Sequence, residues 1–436
     1  MSNGLTSEEV RRKHAALLFP SQATYYEESV VLHEGQGSRV RDLDGREYLD
    51  FFGGILTLSL GHAHPRVNAA VVAQLQRLTH VSTLYPTVPL VELAEKLVRL
   101  APGALEKVFF TSSGTEADET AVALAQAHTG ATELIALRHG YSGRSLLAQS
   151  LTGNGRYRLL PSQVAGIKHA PAPYCYRCPF GLAYPSCELR CAHDLEELVQ
   201  TTTTGRIAGM LAEPILGVAG FVEPPPGYFT VAAGIVRKYG GVFIADEVQT
   251  GLGRTGDHFF GIQHHGVEPD IATLAKGLAN GLPIGATLCA VPIAGAWTGG
   301  NISTFGGNPL SAAAAWATLD VMDDEQLPAR ATRLGARLRA GLLALQERHP
   351  KVIGEVRGRG LMQALEIVAD EPAGDRTPDP ALVSRLFEET KRRGLLIGRG
   401  GLYANVLRIA PALTVPEAEL DEGLRLLGEA FAAVAS

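Results

Sequence analysis

From about residue 105 to about 320 the chain alternates short apolar runs with longer segments of helical period, and most of the runs end in residues able to do chemistry. The runs Lys107 to Thr111, Glu133 to Leu137, Ile207 to Ala212, Val242 to Ala245, Ile271 to Ala275 and Ala286 to Val291 are rich in Val, Ile, Leu, Phe or Ala. Near-continuous apolarity of this kind predicts strands covered on both faces, crossing over through helices into a mostly parallel sheet, and so an α/β fold. Ligands of such sheets bind beyond the strands' carboxyl ends. Here KVFF leads into TSSGTEADETAVALA, ELIAL into RHGYSGRS, GMLA into Glu213, GVFIA into Asp246 and DIATLA into Lys276, so five ends converge on one crevice.

The flanks predict further parts. A length of 436 residues with 46% hydrophobic content supports a large core and more than one lobe. Residues 1–60 hold SRVRDLDGREYLDF, whose Asp44-Gly45 pair predicts a hairpin turn in an N-terminal arm belonging to the smaller lobe. Residues 61–325 form the large domain. A helical stretch beginning near residue 310 leads into a C-terminal small domain, 326–436, with two strand-rich blocks and an amphipathic last helix. The segment EPAGDRTPDP, 371–380, reads as the most linker-like loop. A formal net charge of −6 leaves no basic excess for a phosphate backbone, so nucleic acid is not an expected partner. No run approaches the roughly 20 apolar residues that span a bilayer, and the expected location is the cytoplasm.

Cys289 lies alone in an apolar run and is expected in the core. The other four cysteines, Cys175, Cys178, Cys187 and Cys191, crowd into PYCYRCPFGLAYPSCELRCAH with His193 nearby. The spacing is compatible with a structural zinc site or cluster, with free thiols ordering a loop, or with disulfides, which a reducing cytosol disfavours.

Three positions carry the chemical argument. Ser113-Gly114-Thr115 is a tight turn opening a helix, where exposed backbone N–H groups suit a phosphate. The same residues would serve as a plain N-cap, with Glu116, Asp118 and Glu119 complementing the helix dipole. Asp246 is followed by Glu247, so one carboxylate points into the crevice and the other away. A protonated pyridine nitrogen would suit the inward one, and capping of the turn GLGRTG is the simpler alternative. Lys276 ends the next strand among small residues, and its amine can form a Schiff base and later move a proton. Alone it would be a surface lysine; paired with Asp246 at a matched strand end it reads otherwise.

The stretch FIADEVQTGLGRTG followed by PDIATLAKGLANGLPIGA resembles the signature of class III (subgroup II, ω-type) aminotransferases of pyridoxal 5'-phosphate (PLP) fold type I. DFFGGILTLSLGHAHPRV, LAEPILGVAGF, STFGGNPLSAAAA, GEVRGRGLMQALEI and NVLRIAPALT extend the similarity over nearly the whole chain. The resemblance implies a large PLP-binding domain and a smaller α+β domain. It also implies Lys276 as the Schiff-base lysine, Asp246 as partner of the pyridine nitrogen and Gln249 near the ring's 3'-oxygen. Ser113, Gly114 and Thr115 match the phosphate turn, and Tyr141 the aromatic that stacks on the ring. Thr304 matches a residue reaching the phosphate from the neighbouring subunit, which implies a homodimer or a dimer of dimers.

For substrates, Arg408 matches the arginine that binds the α-carboxylate, and Glu213 an acid that pairs with it when the donor lacks one. Arg144 aligns with the arginine that 4-aminobutyrate aminotransferases use for a distal carboxylate, which favours 4-aminobutyrate and 2-oxoglutarate. Ser142 and Leu216 depart from that group's YHGR and EPIQG forms. The alanine–glyoxylate aminotransferase 2 group is also similar, including its cysteine-bearing insertion, which adds glyoxylate and pyruvate as acceptors. Dialkylglycine decarboxylase is a rival on the same fold. It carries a glutamine where this chain has Ile55, and loss of that group removes help for carboxylate departure. Amino-acid racemases keep the same lysine and aspartate. A non-catalytic metal-binding module would rest on the four cysteines alone.

Overall fold

The computed structural model of the chain describes residues 4–159 and 164–435. Near the N-terminus, β1 (Leu32–Gln36), β2 (Arg39–Asp42) and β3 (Glu47–Asp50) form an antiparallel meander. The turn between β2 and β3 holds Gly45 at φ +88°, and Asp42 Oδ1 accepts from the N–H groups of Asp44 and Arg46.

The central sheet contains β4 (Lys107–Thr111), β5 (Leu134–Leu137), β6 (Ile167–Ala170), β7 (Gly209–Ala212), β8 (Val242–Asp246), β9 (Ile271–Leu274) and β10 (Gly285–Cys289). Their order is β4-β10-β9-β8-β7-β5-β6. The interior pairs from β9 to β6 are parallel, and β10 runs antiparallel to both its neighbours. Alternate residues sort into two cores. Val242, Ile244 and Ile271 pack with Ala121, Val122 and Ala125 of the helix Gly114–Thr129. Phe243, Ala245 and Ala272 pack on the other side with Phe229 and Ala232 of the helix Tyr228–Lys238. Period-2 side chains buried on both faces account for the unbroken apolar runs.

Two expectations need correction, and one strand was not anticipated. β6 lies at the sheet edge, where Lys168 and His169 stay partly exposed, so its sequence lacks the apolar signature of the buried strands. The last strand stops at Cys289, because Val291–Ala294 starts a short helix with Pro292 in its first turn. The segment 371–380 is not a free loop. Gly374 at φ +78° turns the chain, and β13 (Asp375–Pro378) folds back on β12 (Met362–Asp370).

Beyond the helices Pro309–Asp324 and Leu327–Arg348, β11 (Ile353–Arg359) and β12 pair with β15 (Gly398–Gly400) and β16 (Val406–Ile409) in the order β11-β12-β16-β15. The short β14 (Leu395–Leu396) instead joins β3 in parallel, so the N-terminal meander is completed by a strand from the C-terminal part. No helix of the described residues is long and apolar enough to cross a membrane.

The cysteine segment is held by ion pairing rather than by its thiols. Cys175, Cys178, Cys187 and Cys191 are free, and among the described residues no group of three or more His, Cys, Asp or Glu could hold a metal ion. Of the alternatives that the spacing leaves open, the structure describes free thiols, with burial pushing Cys191 up to about 11. What anchors the segment is Glu366 on β12, fully buried, which accepts from Tyr174 Oη, Arg177 Nε, Arg357 Nη1 and Asn405 Nδ2. Burial alone would raise its pKa, but Arg357, Tyr174 and Arg177 outweigh it and hold the carboxyl below the ordinary glutamate range. Its contribution is thus present above that range and lost as pH falls through the folded-state value. Glu366→Gln is expected to cost about 3–5 kcal/mol, because it leaves two arginines short of their counter-charge. The midpoint of urea unfolding at neutral pH measures this, and the deficit should shrink as the pH is lowered.

Candidate active site

The carboxyl ends of β4, β5, β7, β8 and β9 meet around a cavity of about 280 Å³, to which they bring Ser113, Tyr141, Glu213, Asp246 and Lys276. After β4 the chain turns straight into the helix Gly114–Thr129. Ser113 is its N-cap: its Oγ accepts from Glu116 N at 3.2 Å, while Glu116 Oε2 takes the N–H of Ser112 at 2.8 Å. Capping and anion binding are compatible here. The cap uses the Ser113 side chain, and Gly114 and Thr115 line the cavity with first-turn N–H groups that no helix can satisfy internally. Gly143 closes the turn from above at φ +146°, where a Cβ would come within 2.3 Å of Thr115 Oγ1.

On β8 the period of two divides the adjacent acids. Asp246 lines the cavity, 4% exposed, with Oδ1 accepting from Val248 N at 3.0 Å. Glu247 points away and is satisfied by Thr250 Oγ1 and by the N–H groups of Gly261 and Ile262. Burial raises the Asp246 pKa, while the Val248 N–H and the Lys276 charge oppose the rise. Glu213 is likewise buried, accepting from Tyr141 N at 2.9 Å and Gly217 N at 2.8 Å, and burial with the Asp246 charge raises its pKa.

Lys276 follows β9 at φ +44°, a strained position for a side chain of this size, and is half-buried at the cavity wall. Burial lowers the amine's pKa, against the opposing pull of Asp246 and Glu213. A lysine so placed is more readily neutral, and therefore nucleophilic, than one in water. Gln249 also lines the cavity, and its Oε1 is buried without a hydrogen-bond partner.

The family Aminotransferase class-III matches residues 21–431. The chain belongs to the class III aminotransferases. It is 40% identical over 419 residues to alanine–glyoxylate aminotransferase 2 homolog 2, mitochondrial, of Arabidopsis thaliana, covering 96% of this chain and 86% of that one. It is 35% identical to a leucine/methionine racemase of Thermococcus litoralis, covering 99% of this chain and 96% of that one. Among solved structures, a PLP-bound amine transaminase from an uncultivated Pseudomonas species superposes with a TM-score of 0.88 at 34% identity, covering 96% of this chain and 98% of that one. The cofactor of this aminotransferase is PLP, and its substrates are small amino donors and oxo acids.

Other expected residues lie outside the cavity wall. In the aminotransferase, Arg408 on β16 is 3% exposed and donates only to carbonyls, Nη2 to Arg399 O at 2.9 Å and Nη1 to Gly217 O at 3.3 Å. Its guanidinium lies over the rings of Phe52 and Phe221. The expected contact between Glu213 and Arg408 is not direct: Glu213 takes the N–H of Gly217 and Arg408 its carbonyl. Arg144 is exposed and lines a neighbouring groove of about 760 Å³ that shares Tyr141 with the cavity. Ile55, at φ +65°, and Thr304 are exposed and do not line the cavity of their own chain.

Sequence reasoning missed Thr57 and Asp118, which do line it. Asp118 had been assigned to the helix dipole, yet it is 1% exposed. Its place one helical turn after Gly114 and Thr115 was the available signal, since residues three and four apart share a helix face.

Proposed function

We propose that the enzyme moves an amino group from an ω-amino acid or amino acid, 4-aminobutyrate-like by preference, to an α-oxo acid such as 2-oxoglutarate, glyoxylate or pyruvate, with Lys276 holding the cofactor covalently. The observation that carries this reading is a half-buried lysine amine sharing one cavity with a buried aspartate from the adjacent strand end. The residues fit PLP. The unpaired Gln249 Oε1 lacks a donor such as a ring hydroxyl would offer, Asp246 is a buried anion suited to a cationic ring nitrogen, and the amides at Gly114 and Thr115 suit a phosphate.

When bound, PLP supplies an aldehyde for the donor's nitrogen and a ring that withdraws electrons from the carbon losing its proton. Asp246 keeps that withdrawal strong by presenting its charge to the ring nitrogen, and Tyr141 offers a ring face. Ser113, through its cap, fixes the turn that holds the phosphate. Lys276 would hold the cofactor through its amine and, when that amine is free, would be the base placed to take the proton from the donor carbon. Arg408 binds the α-carboxylate of the oxo acid. A buried guanidinium bonded only to carbonyls is costly until an anion arrives, which supports this role. Glu213, bridged to Arg408 through Gly217, compensates that charge when the donor has no α-carboxylate.

The large domain, 61–325, carries the cofactor, and residues 1–60 with 326–436 make the small lobe. The working form is a homodimer in the cytoplasm. Thr304 is exposed beside Ile302 and Phe305, 63% and 62% exposed, which supports burial of this loop against a second copy whose phosphate Thr304 reaches. Ile55, 47% exposed, brings no amide to the site, which argues against decarboxylation.

A panel of 4-aminobutyrate, ornithine, alanine, β-alanine and 2-aminoisobutyrate, scored for amino transfer and carbon dioxide release, tests the assignment. Release of carbon dioxide as the main product would overturn it. A second reading, racemisation, is favoured by the similarity to the Thermococcus racemase, and loss of optical activity without an oxo acid would establish it. Arg144→Ala is expected to raise KM for 2-oxoglutarate by about 10- to 100-fold, the worth of a charge-assisted pair, with pyruvate kinetics within about threefold. Equal effects on both acceptors would remove Arg144 from the distal site.

A further inference from the structure

Asp118 is a second buried carboxyl that no step above uses. It projects from the helix Gly114–Thr129 onto the face of the sheet that carries Ile244 and Ile271, the same face as Asp246 and Thr273 by the period of two. Asp246 and Thr273 are register partners on β8 and β9. Asp118 accepts at Oδ1 from Thr273 Oγ1 at 2.7 Å, and its carboxyl lines the same cavity as that of Asp246, close enough for the two to share a proton. Thr273 is fully buried and gives its one proton to Asp118. Two carboxyl groups in hydrogen-bond contact need a proton between them, and in a buried site both cannot ionise.

The surrounding charges decide which acid keeps the proton. Facing the pair are Glu213 after β7, Lys276 after β9, Tyr141 after β5 and, further off, Arg408 on β16. Lys276 and the Val248 N–H favour the charged form of Asp246. Asp118 has no ion-pair partner among the described residues, and burial, the Asp246 charge and Glu213 all raise its pKa.

We propose that Asp118 is a positioning residue held as a neutral acid, donating its proton to Asp246 and so fixing the orientation and tempering the charge of the carboxylate that faces the cofactor's ring nitrogen. The proposal rests on the assignment of Asp246 made above. It implies that an amide, which also donates, substitutes for the acid, and that an apolar side chain of the same size does not.

The test compares Asp118→Asn, Asp118→Leu and Asp246→Asn with the wild-type holoenzyme, and adds a measurement on the apoprotein that needs no turnover. Asp118→Leu is expected to lower kcat about tenfold or more with KM within about threefold, and to shift the acid limb of the pH profile. Asp118→Asn should recover kcat to within about threefold, with the wild-type pH profile. The infrared difference spectrum of apo wild type minus apo Asp118→Asn at neutral pH should contain a protonated-carboxyl stretch. A carboxylate band there instead, or an Asn variant whose pH profile moves as removal of a negative charge requires, overturns the neutral acid whether or not the Leu variant folds. Wild-type kcat in Asp118→Leu beside a strongly impaired Asp246→Asn overturns the role of Asp118 alone. Unimpaired Asp246→Asn overturns the assignment of Asp246 beneath it.

Discussion

Lys276→Ala is expected to lower turnover by about 10⁴-fold or more, since the proposed role makes this one side chain both the covalent anchor and the proton-moving base. Among the described residues that line the cavity there is no other lysine. Arg408 is committed to the carbonyls of Arg399 and Gly217, and Arg144 lies out in the groove. The purified variant should lack the visible absorbance expected of wild type with the cofactor held on Lys276. Borohydride reduction and proteolysis should find the cofactor on the peptide containing residue 276 in wild type and on no peptide of the variant. The fold should survive, because replacement relieves the desolvation of a half-buried amine. A variant that turns over within tenfold of wild type, or a reduced adduct on a different lysine, would sink the assignment.

Asp246→Asn is expected to lower kcat by about 10³-fold with a much smaller change in KM, the loss of one buried charge-assisted contact of about 4 kcal/mol. The amide keeps the shape and can still accept from the Val248 N–H, so the protein should fold. What it cannot do is supply the anion proposed to face the cofactor's ring nitrogen. That charge matters most while the donor carbon is losing its proton, so the effect falls on the transition state more than on binding. Glu247 cannot stand in for it, being turned to the opposite face of β8 and held by Thr250, Gly261 and Ile262. A loss confined to cofactor affinity, with kcat restored at saturating PLP, would mean that Asp246 anchors the cofactor without steering the chemistry.

How much of this was legible in the sequence depended on range. The buried strands were readable because a strand covered on both faces must be apolar throughout. Asp246 and Lys276 were readable because a charged residue ending such a run has nowhere to go but the crevice. The opposite orientations of Asp246 and Glu247 followed from the period of two. β6 was not readable, because an edge strand carries no obligation to be apolar. The cysteine spacing was compatible with several chemistries, and the group that in fact orders the segment, Glu366, lies 192 residues from Tyr174 along the chain.

The sequence by itself determined the α/β class, the crevice at the strand ends, the family, and the lysine and aspartate at its centre. These rest on local periodicity and on motifs whose residues are neighbours in the chain. Only the tertiary structure decided the burial of Asp118 against Thr273, the indirect link between Glu213 and Arg408, and the exposure of Thr304 outside its own chain's cavity. Asp118 read as a helix-dipole residue until Thr273, 155 residues away, was brought to 2.7 Å. The physical reason is that desolvation and Coulomb energies depend on distance and burial in space, and spacing along a chain encodes neither.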